Sequence, residues 1–343
     1  MAEIFPVTHS LLSADALGRL LQASYPVGEV RTCSTVRHDI NATYYVDTTS
    51  GRYVLRVSPG KLSGGSSWRP SEGILFEIEV LRHLDRKGVA VAAPLRRRDG
   101  SYVSVVEAPE GERQLALFTF AGGDPVTPPT QTEQIARRYG QAVAALHSAT
   151  DDFACSYSGR RLDLDVLLKQ PLTVVRPFLA HRPEDRRYLD ELATTVRNTI
   201  TALAANGLDT GICHGDVQGG NACISPDGTI TLFDFEWCGT GWRAYDRAVF
   251  FWGAALGRIR LGWEKQISDR LSSAYLSGYE AARPLSSVEH QAIAPCVLLR
   301  EYWYLGMEAG YWETWGTGSR GTDDFFDREM KFIRQWSTEH NLL

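Results

Sequence analysis

The sequence predicts an α+β fold of two lobes, a small antiparallel sheet with one helix over residues 1–120 and a mainly helical body over residues 121–343. Three observations carry this expectation. Before residue 120, short alternating apolar runs are set off by turn residues and interrupted by one amphipathic helical stretch. Ala121-Gly122-Gly123-Asp124-Pro125 then breaks the pattern. Beyond it, apolar residues recur at helical spacing through long segments.

The first element is a helix over residues 14–24, with Ser13 as its N-cap. Residues 41–46 and 52–58 read as strands joined by the turn Asp47-Thr48-Thr49-Ser50-Gly51. Residues 59–71 are rich in Gly and Ser and read as a mobile loop. A helix over 74–87 places Ile74, Ile78, Leu81 and Leu84 on one face and ends at Gly88. Residues 97–106 and 114–120 alternate, with turns at Asp99-Gly100 and Glu110-Gly111. This β-β-α-β-β order suits a small antiparallel sheet. In the second lobe, helices are expected over 132–148, 165–170 and 183–206. Residues 211–236 read as strand-loop-strand-loop with a turn at Asp227-Gly228, and helices follow over 245–256, 263–281, 287–310 and 324–336.

Composition narrows the class. With 43% hydrophobic and 22% charged residues, the 343-residue chain is ordinary for a globular protein with a core in each lobe. No window approaches a membrane span, and the N-terminus lacks the basic start and apolar run of a signal peptide. A cytoplasmic protein without a membrane partner is expected, as a monomer or homodimer. The net charge is −5 and the largest basic cluster is Arg96-Arg97-Arg98, which argues against nucleic acid as a partner. None of the six cysteines forms a CxxC pair. They read as reduced thiols, with small-residue packing favoured over a redox role for Cys213, Cys223 and Cys238.

The chemistry is concentrated in one stretch. His214-Gly215-Asp216 is followed five residues after the Asp by Asn221, and Asp234-Phe235-Glu236 begins thirteen residues beyond the Asn. A hydroxyl attacking a γ-phosphate needs a carboxylate to accept its proton, the role expected of Asp216. A triphosphate needs Mg²⁺, which takes carboxylate and amide oxygens, so Asn221 and Asp234 are the expected metal ligands. Protein kinases carry the same parts in the same order. Here the elements are His-Gly-Asp and Asp-Phe-Glu instead of His-Arg-Asp and Asp-Phe-Gly. His214 is expected to brace the loop through a hydrogen bond to backbone or to the Asp234 region. Asp246 in YDRAVFFW is expected to tie its helix to that loop, and His147 to be structural.

HGDVQGGN (214–221) followed by ITLFDFE resembles the aminoglycoside phosphotransferase and choline kinase superfamily, also called the phosphotransferase enzyme family. That group includes homoserine kinases, antibiotic kinases and a bacterial stress-response kinase. The resemblance covers about residues 30–340. It implies a protein-kinase-like fold, ATP and Mg²⁺ as cofactors, and a small-molecule hydroxyl as acceptor, either an antibiotic such as an aminoglycoside or a homoserine- or choline-like metabolite. It gives Glu236 a second Mg²⁺, with a solvated or buried carboxylate as the plain alternative. The family's phosphate-binding strand lysine is replaced here by Arg56, which is expected to pair with Glu77 on the following helix. If Arg56 is only a surface residue, Lys61 is the alternative phosphate contact. Thr119, Phe120 and Ala121 fall at the hinge that offers backbone groups to adenine. Gln218 stands where a His is commoner, and Gly219-Gly220 frees the loop for close approach to a ligand. Neither a GxGxxG nor a Walker A motif is present.

Acceptor-site candidates are Asp163, Asp165, Trp242, Glu301, Tyr304, Glu308 and Tyr311. Glu301, Tyr304 and Glu308 share one helical face, with core packing as the competing reading. Two other functions compete: a stress-type serine/threonine protein kinase, and a nucleotide-binding pseudokinase. Arg56 speaks for the latter, and the intact Asp216, Asn221 and Asp234 speak against it.

Overall fold

Ser13 accepts the amide of Ala16 and starts α1 (Ala14–Ser24) in a computed structural model that describes residues 5, 7, 9–38, 40–59, 71–127, 130–315 and 322–343. The chain divides into two compact units. The first comprises Met1–Gly122 and Ala154–Ser158, the second Gly123–Phe153 and Gly159–Leu343. The division thus falls two residues beyond the expected one. The excursion at Ala154–Ser158 carries no compositional signal.

In the first unit, α1 packs on an antiparallel sheet of spatial order β1-β2-β3-β5-β4. Its strands are β1 (Val30–His38), β2 (Ala42–Thr48), β3 (Gly51–Val57), β4 (Val103–Ala108) and β5 (Gly111–Thr119). Alternation along β2 buries Ala42, Tyr44 and Val46 against Leu55, Val57, Leu115 and Leu117, with Leu17 and Leu21 of α1 closing the core. β1 is additional to the expected strands. Most of its residues face solvent and it lies at the sheet edge, so no apolar pattern marks it. Helix α2 (Ser71–Arg86) buries Ile74, Ile78, Leu81 and Leu84 as its spacing predicts. Most of the loop expected at 59–71, including Lys61, lies outside the described residues.

The second unit is mainly helical: α3 (Glu133–Ala149), α4 (Gln170–Val175), α5 (Pro183–Ala205), α6 (Arg243–Leu261), α7 (Lys265–Ala282), α8 (Ser287–Trp315) and α9 (Asp323–Glu339). The short helix expected over 165–170 is a π-helical turn, Asp165–Lys169, that runs into α4. Two small sheets frame the catalytic motif. One joins β6 (Asp124–Pro125), β9 (Ala222–Ile224) and β10 (Ile230–Leu232), the last two linked through the Asp227-Gly228 turn. The other places β11 (Gly239–Trp242) between β7 (Arg160–Leu162) and β8 (Thr210–Cys213). Helices α3 and α7 cross closely because glycines meet backbone there. A Cβ on Gly140 would lie 2.0 Å from the Tyr275 carbonyl oxygen, and one on Gly278 would lie 1.9 Å from that of Arg137. That crossing brings Tyr279 beside His147. Among the described residues no helix is long and apolar enough to cross a membrane.

Candidate active site

Strand β8 delivers the chain into His214-Gly215-Asp216, and three contacts fix that turn. Gly215 has φ +81°, and a Cβ there would sit 2.2 Å from the Trp237 carbonyl oxygen. Only glycine fits both conditions. Asp246, fully buried near the start of α6, accepts the amides of His214 at 2.6 Å and Gly215 at 2.9 Å. Burial opposes its charge, but the hydrogen bonds from His147 and the Gly215 amide help to outweigh it and hold the carboxyl below its ordinary range. His147 in turn meets Asp246 through Nε2 at 3.1 Å and the Tyr279 hydroxyl through Nδ1 at 2.7 Å. Both residues are thus scaffolding for the loop.

His214 links the loop to the strand that follows. Its Nε2 donates to the Phe233 carbonyl at 3.0 Å, and its Nδ1 accepts the Asp216 amide at 3.3 Å. Those two bonds require the neutral Nε2–H tautomer, and burial lowers the ring's pKa accordingly. The ring lies 4.2 Å from that of Phe235, so the two motifs are packed together.

The Asp216 carboxylate is held at both oxygens. Oδ2 accepts from Asn221 Nδ2 at 3.0 Å and from Gln218 Nε2 at 3.4 Å, while Oδ1 accepts from Arg300 at 2.5 Å. Asn221 Nδ2 also reaches the Asp216 carbonyl at 2.9 Å, and the Asn221 carbonyl accepts the Phe233 amide at 3.0 Å. With Nδ2 turned to Asp216, the Asn221 amide oxygen is the atom left for a hard cation. Asp234 follows at once, in a left-handed conformation with φ 64° and ψ 59°. That backbone is uncommon for a non-glycine residue and is best tolerated by Asp and Asn. An amide oxygen and carboxylates such as those of Asp234 and Glu236 are the donor types that Mg²⁺ takes.

The close approach expected of Gly219-Gly220 has a different cause. A Cβ on Gly219 would fall 1.8 Å from the Val126 carbonyl oxygen, so the neighbour is the chain's own backbone. A second cluster, His147, Cys213 and Asp246, brings three potential metal ligands within 4.8 Å. It is a hydrogen-bonded core network instead. The His147 and Asp246 atoms are engaged as described, and burial keeps the Cys213 thiol protonated.

In the first unit Arg56 Nη2 donates to Glu77 Oε2 at 2.5 Å, both side chains buried, with the Arg56 guanidinium over the Phe118 ring at 5.1 Å. Glu79, on the same helix, pairs with Arg82. Among the hinge residues, the Thr119 amide is taken by the Ala93 carbonyl at 2.9 Å and its hydroxyl accepts the Ala93 amide at 2.8 Å. Thr119 therefore has no N–H to offer a purine, which leaves Phe120 and Ala121. The exposed Phe120 ring packs edge-on against Tyr45.

The acceptor-site candidates mostly engage neighbours of their own chain. Asp163 caps the π-helical turn by accepting the amides of Asp165 and Val166, and Asp165 pairs with Lys169 and Gln170 of its own helix. Glu301 is fully buried and accepts Trp252 Nε1 at 2.7 Å. Tyr304 packs on Trp252 and Phe325. Glu308 is half-buried on that face, and the Tyr311 side chain lies outside the described residues. The face of α8 that carries Glu301 and Tyr304 packs against α6 and α9, because both neighbours present aromatic rings there.

Burial and then the charge of Glu329 push the Glu301 carboxyl well above the usual range. The native state thus keeps a proton that the unfolded chain releases above about pH 4.3. This contribution to stability is full at low pH and lost as pH rises toward the raised pKa. Glu301→Gln keeps an acceptor for Trp252 and removes the titration. Its Tm should exceed that of the wild type at pH 8, with the gap shrinking toward pH 5. The widening is at most about 1.4 kcal/mol per pH unit. A gap independent of pH in melting curves would contradict this reading.

Residues 32–287 match the model of the phosphotransferase enzyme family. An uncharacterized protein of Deinococcus radiodurans is 34% identical over 340 residues, covering 99% of this chain and 94% of its own length. A homoserine kinase of Neisseria meningitidis serogroup B is 28% identical over 324 residues, covering 94% and 93%. The solved structure of the amicoumacin kinase hAmiN in complex with AMP-PNP, Ca²⁺ and Ami superposes with a TM-score of 0.72 at 19% identity, over 96% of this chain and 94% of that one. The fold is kinase-like. The family match spans well over half of the sequence, and the chain belongs to the phosphotransferase enzyme family.

Proposed function

We propose that this phosphotransferase moves the γ-phosphoryl group of ATP to the hydroxyl of a small molecule, with an amino alcohol or hydroxy amino acid of the homoserine type as the first acceptor class to test. The observation that carries this reading is the Asp216 carboxylate, clamped beside Asn221 in a loop hydrogen-bonded to the strand that leads into Asp234. The homoserine kinase relative, which covers nearly the whole chain, supports the acceptor class. Asp216 accepts or orients the acceptor's proton. Asn221 and Asp234, with Glu236, hold Mg²⁺, which neutralises charge on the phosphate oxygens when bound. Arg56, steadied by Glu77, binds phosphate, and Phe120 and Ala121 face adenine. Little covalent chemistry is required of the protein, so positioning and charge stabilisation supply the rate.

An ADP-release screen tests the acceptor class, with L-homoserine, 3-aminopropanol, choline and an aminoglycoside offered to the full chain with ATP or GTP. Turnover only with an aminoglycoside would move the acceptor to the antibiotic class. Phosphate incorporated into protein alone would favour the protein-kinase reading.

Arg56 gives a separate prediction, because the family's usual residue there is Lys. Arg56→Ala should raise the KM for ATP and lower kcat. Arg56→Lys should recover only part of the loss, since a point charge cannot reproduce a planar fork. Glu77→Ala should be non-additive with Arg56→Ala, with a coupling of about 1–3 kcal/mol. Additive losses in that cycle would show that phosphate is held elsewhere.

A further inference from the structure

Arg300 lies in the middle of α8 and is only 2% exposed. Its Nη2 donates to Asp216 Oδ1 at 2.5 Å. Its guanidinium carbon lies over two indoles, 4.2 Å from the Trp303 ring centre and 4.8 Å from that of Trp252. Trp252 is fixed through Nε1 by Glu301, and Trp303 meets Trp237 edge-on at 4.8 Å. Arg300 Nε and Nη1 have no hydrogen-bond partner among the described residues. Burial works against the charge, but Asp216, and after it Tyr245, outweigh it and raise the pKa, so the side chain stays cationic.

Stability does not account for this arrangement. A buried guanidinium with two nitrogens lacking a hydrogen-bond partner among the described residues is unfavourable. Replacing both members of such a pair by apolar side chains of similar volume is often neutral or stabilising. The carboxylate it grips has a soft terminal torsion, which is broad and roughly two-fold for Asp. Asn221 and Gln218 hold Oδ2 alone. Without a clamp on Oδ1 the carboxylate plane could turn about that bond.

We propose that Arg300 is the positioning residue for Asp216, clamping Oδ1 with a guanidinium packed over Trp252 and Trp303, so that Oδ2 is the oxygen that meets the acceptor hydroxyl. This rests on the reading of Asp216 as the group that accepts the hydroxyl's proton. Arg300 acts through Asp216 and touches no reacting atom itself. A lysine would keep the charge but not the planar geometry.

The test is a cycle of Arg300→Met and Asp216→Asn, with Arg300→Lys as the conservative variant, read by turnover of Mg-ATP with L-homoserine and by thermal melting. Arg300→Met should lower kcat by about 10²-fold, the scale of a small misplacement of a reacting group. It should leave the KM for ATP within about twofold, since Arg300 does not touch the nucleotide. Arg300→Lys should restore part of kcat. In the Asp216→Asn background, Arg300→Met should cost less than about threefold, because both changes disable one unit. Melting should show each single variant below wild type and the double variant recovering part of the loss. An equal loss of kcat in both backgrounds, or a rise in KM matching the fall in kcat, would overturn the proposal. If L-homoserine is not turned over at all, the functional reading is what has failed. The melting cycle still decides the pairing then, and additive losses of Tm would overturn it.

Discussion

Asp216→Ala should reduce phosphoryl transfer by about 10²–10⁴-fold, the usual cost of losing a general base, while nucleotide affinity stays close to that of the wild type. Both oxygens of this carboxylate are occupied by donors of the second unit, Arg300 on one side and Asn221 and Gln218 on the other. Its orientation is therefore set before any acceptor arrives, which is what a proton acceptor requires. Alanine also leaves the buried Arg300 charge without its carboxylate, and breaking a pair of this kind costs about 3–5 kcal/mol. Asp216→Asn, which retains an oxygen for Arg300, separates chemistry from folding. Both variants should lose kcat, and the alanine variant should melt lower than the asparagine variant. A folded variant that retains more than about a tenth of wild-type kcat would remove Asp216 from this role.

Asp234→Asn should weaken metal-dependent nucleotide binding as well as turnover. Asparagine is the informative replacement because residue 234 has φ 64°, a conformation that Asn accepts and Ala resists. The backbone and the size of the side chain are kept, and one formal charge on a metal ligand is lost. ATP affinity measured calorimetrically with and without Mg²⁺ should show a metal-dependent gain for the wild type. For the variant that gain should shrink by at least the about 10–100-fold that loss of a supporting partner costs a metal site. An unchanged Mg²⁺ dependence would sink the assignment.

Much of the fold was legible because local and global preferences agree. Ser13 and the amphipathic run behind it mark α1, and Ile74, Ile78, Leu81 and Leu84 mark α2. β1 was not legible, since an exposed edge strand carries no burial pattern. In the catalytic stretch, the spacing from Asp216 through Asn221 to Asp234 pointed to residues that the fold links through His214 and Phe233. Arg300 was missed although a signal exists. Arg300-Glu301 is a charged pair inside an otherwise apolar run from Cys296 to Leu305, and buried charges need partners. Sequence spacing offered Glu301 as a substrate ligand because it shares a helical face with Tyr304. Periodicity shows that residues share a face but not which neighbour covers it, and here the neighbour is Trp252. Asp163 and Asp165 engage groups of their own turn for a related reason. A carboxylate at the start of a helix is as well suited to its own backbone as to a ligand.

The most direct test of small-molecule phosphoryl transfer is the fate of the γ-phosphate. The full chain is incubated with radiolabelled γ-phosphate ATP, Mg²⁺ and L-homoserine, 3-aminopropanol, choline or an aminoglycoside in turn, and label is followed into the low-mass and protein fractions. A phosphate ester is expected in the low-mass fraction, formed in equal amount with ADP and lost in Asp216→Asn. Label confined to protein, or a low-mass ester formed equally well by Asp216→Asn, would contradict it.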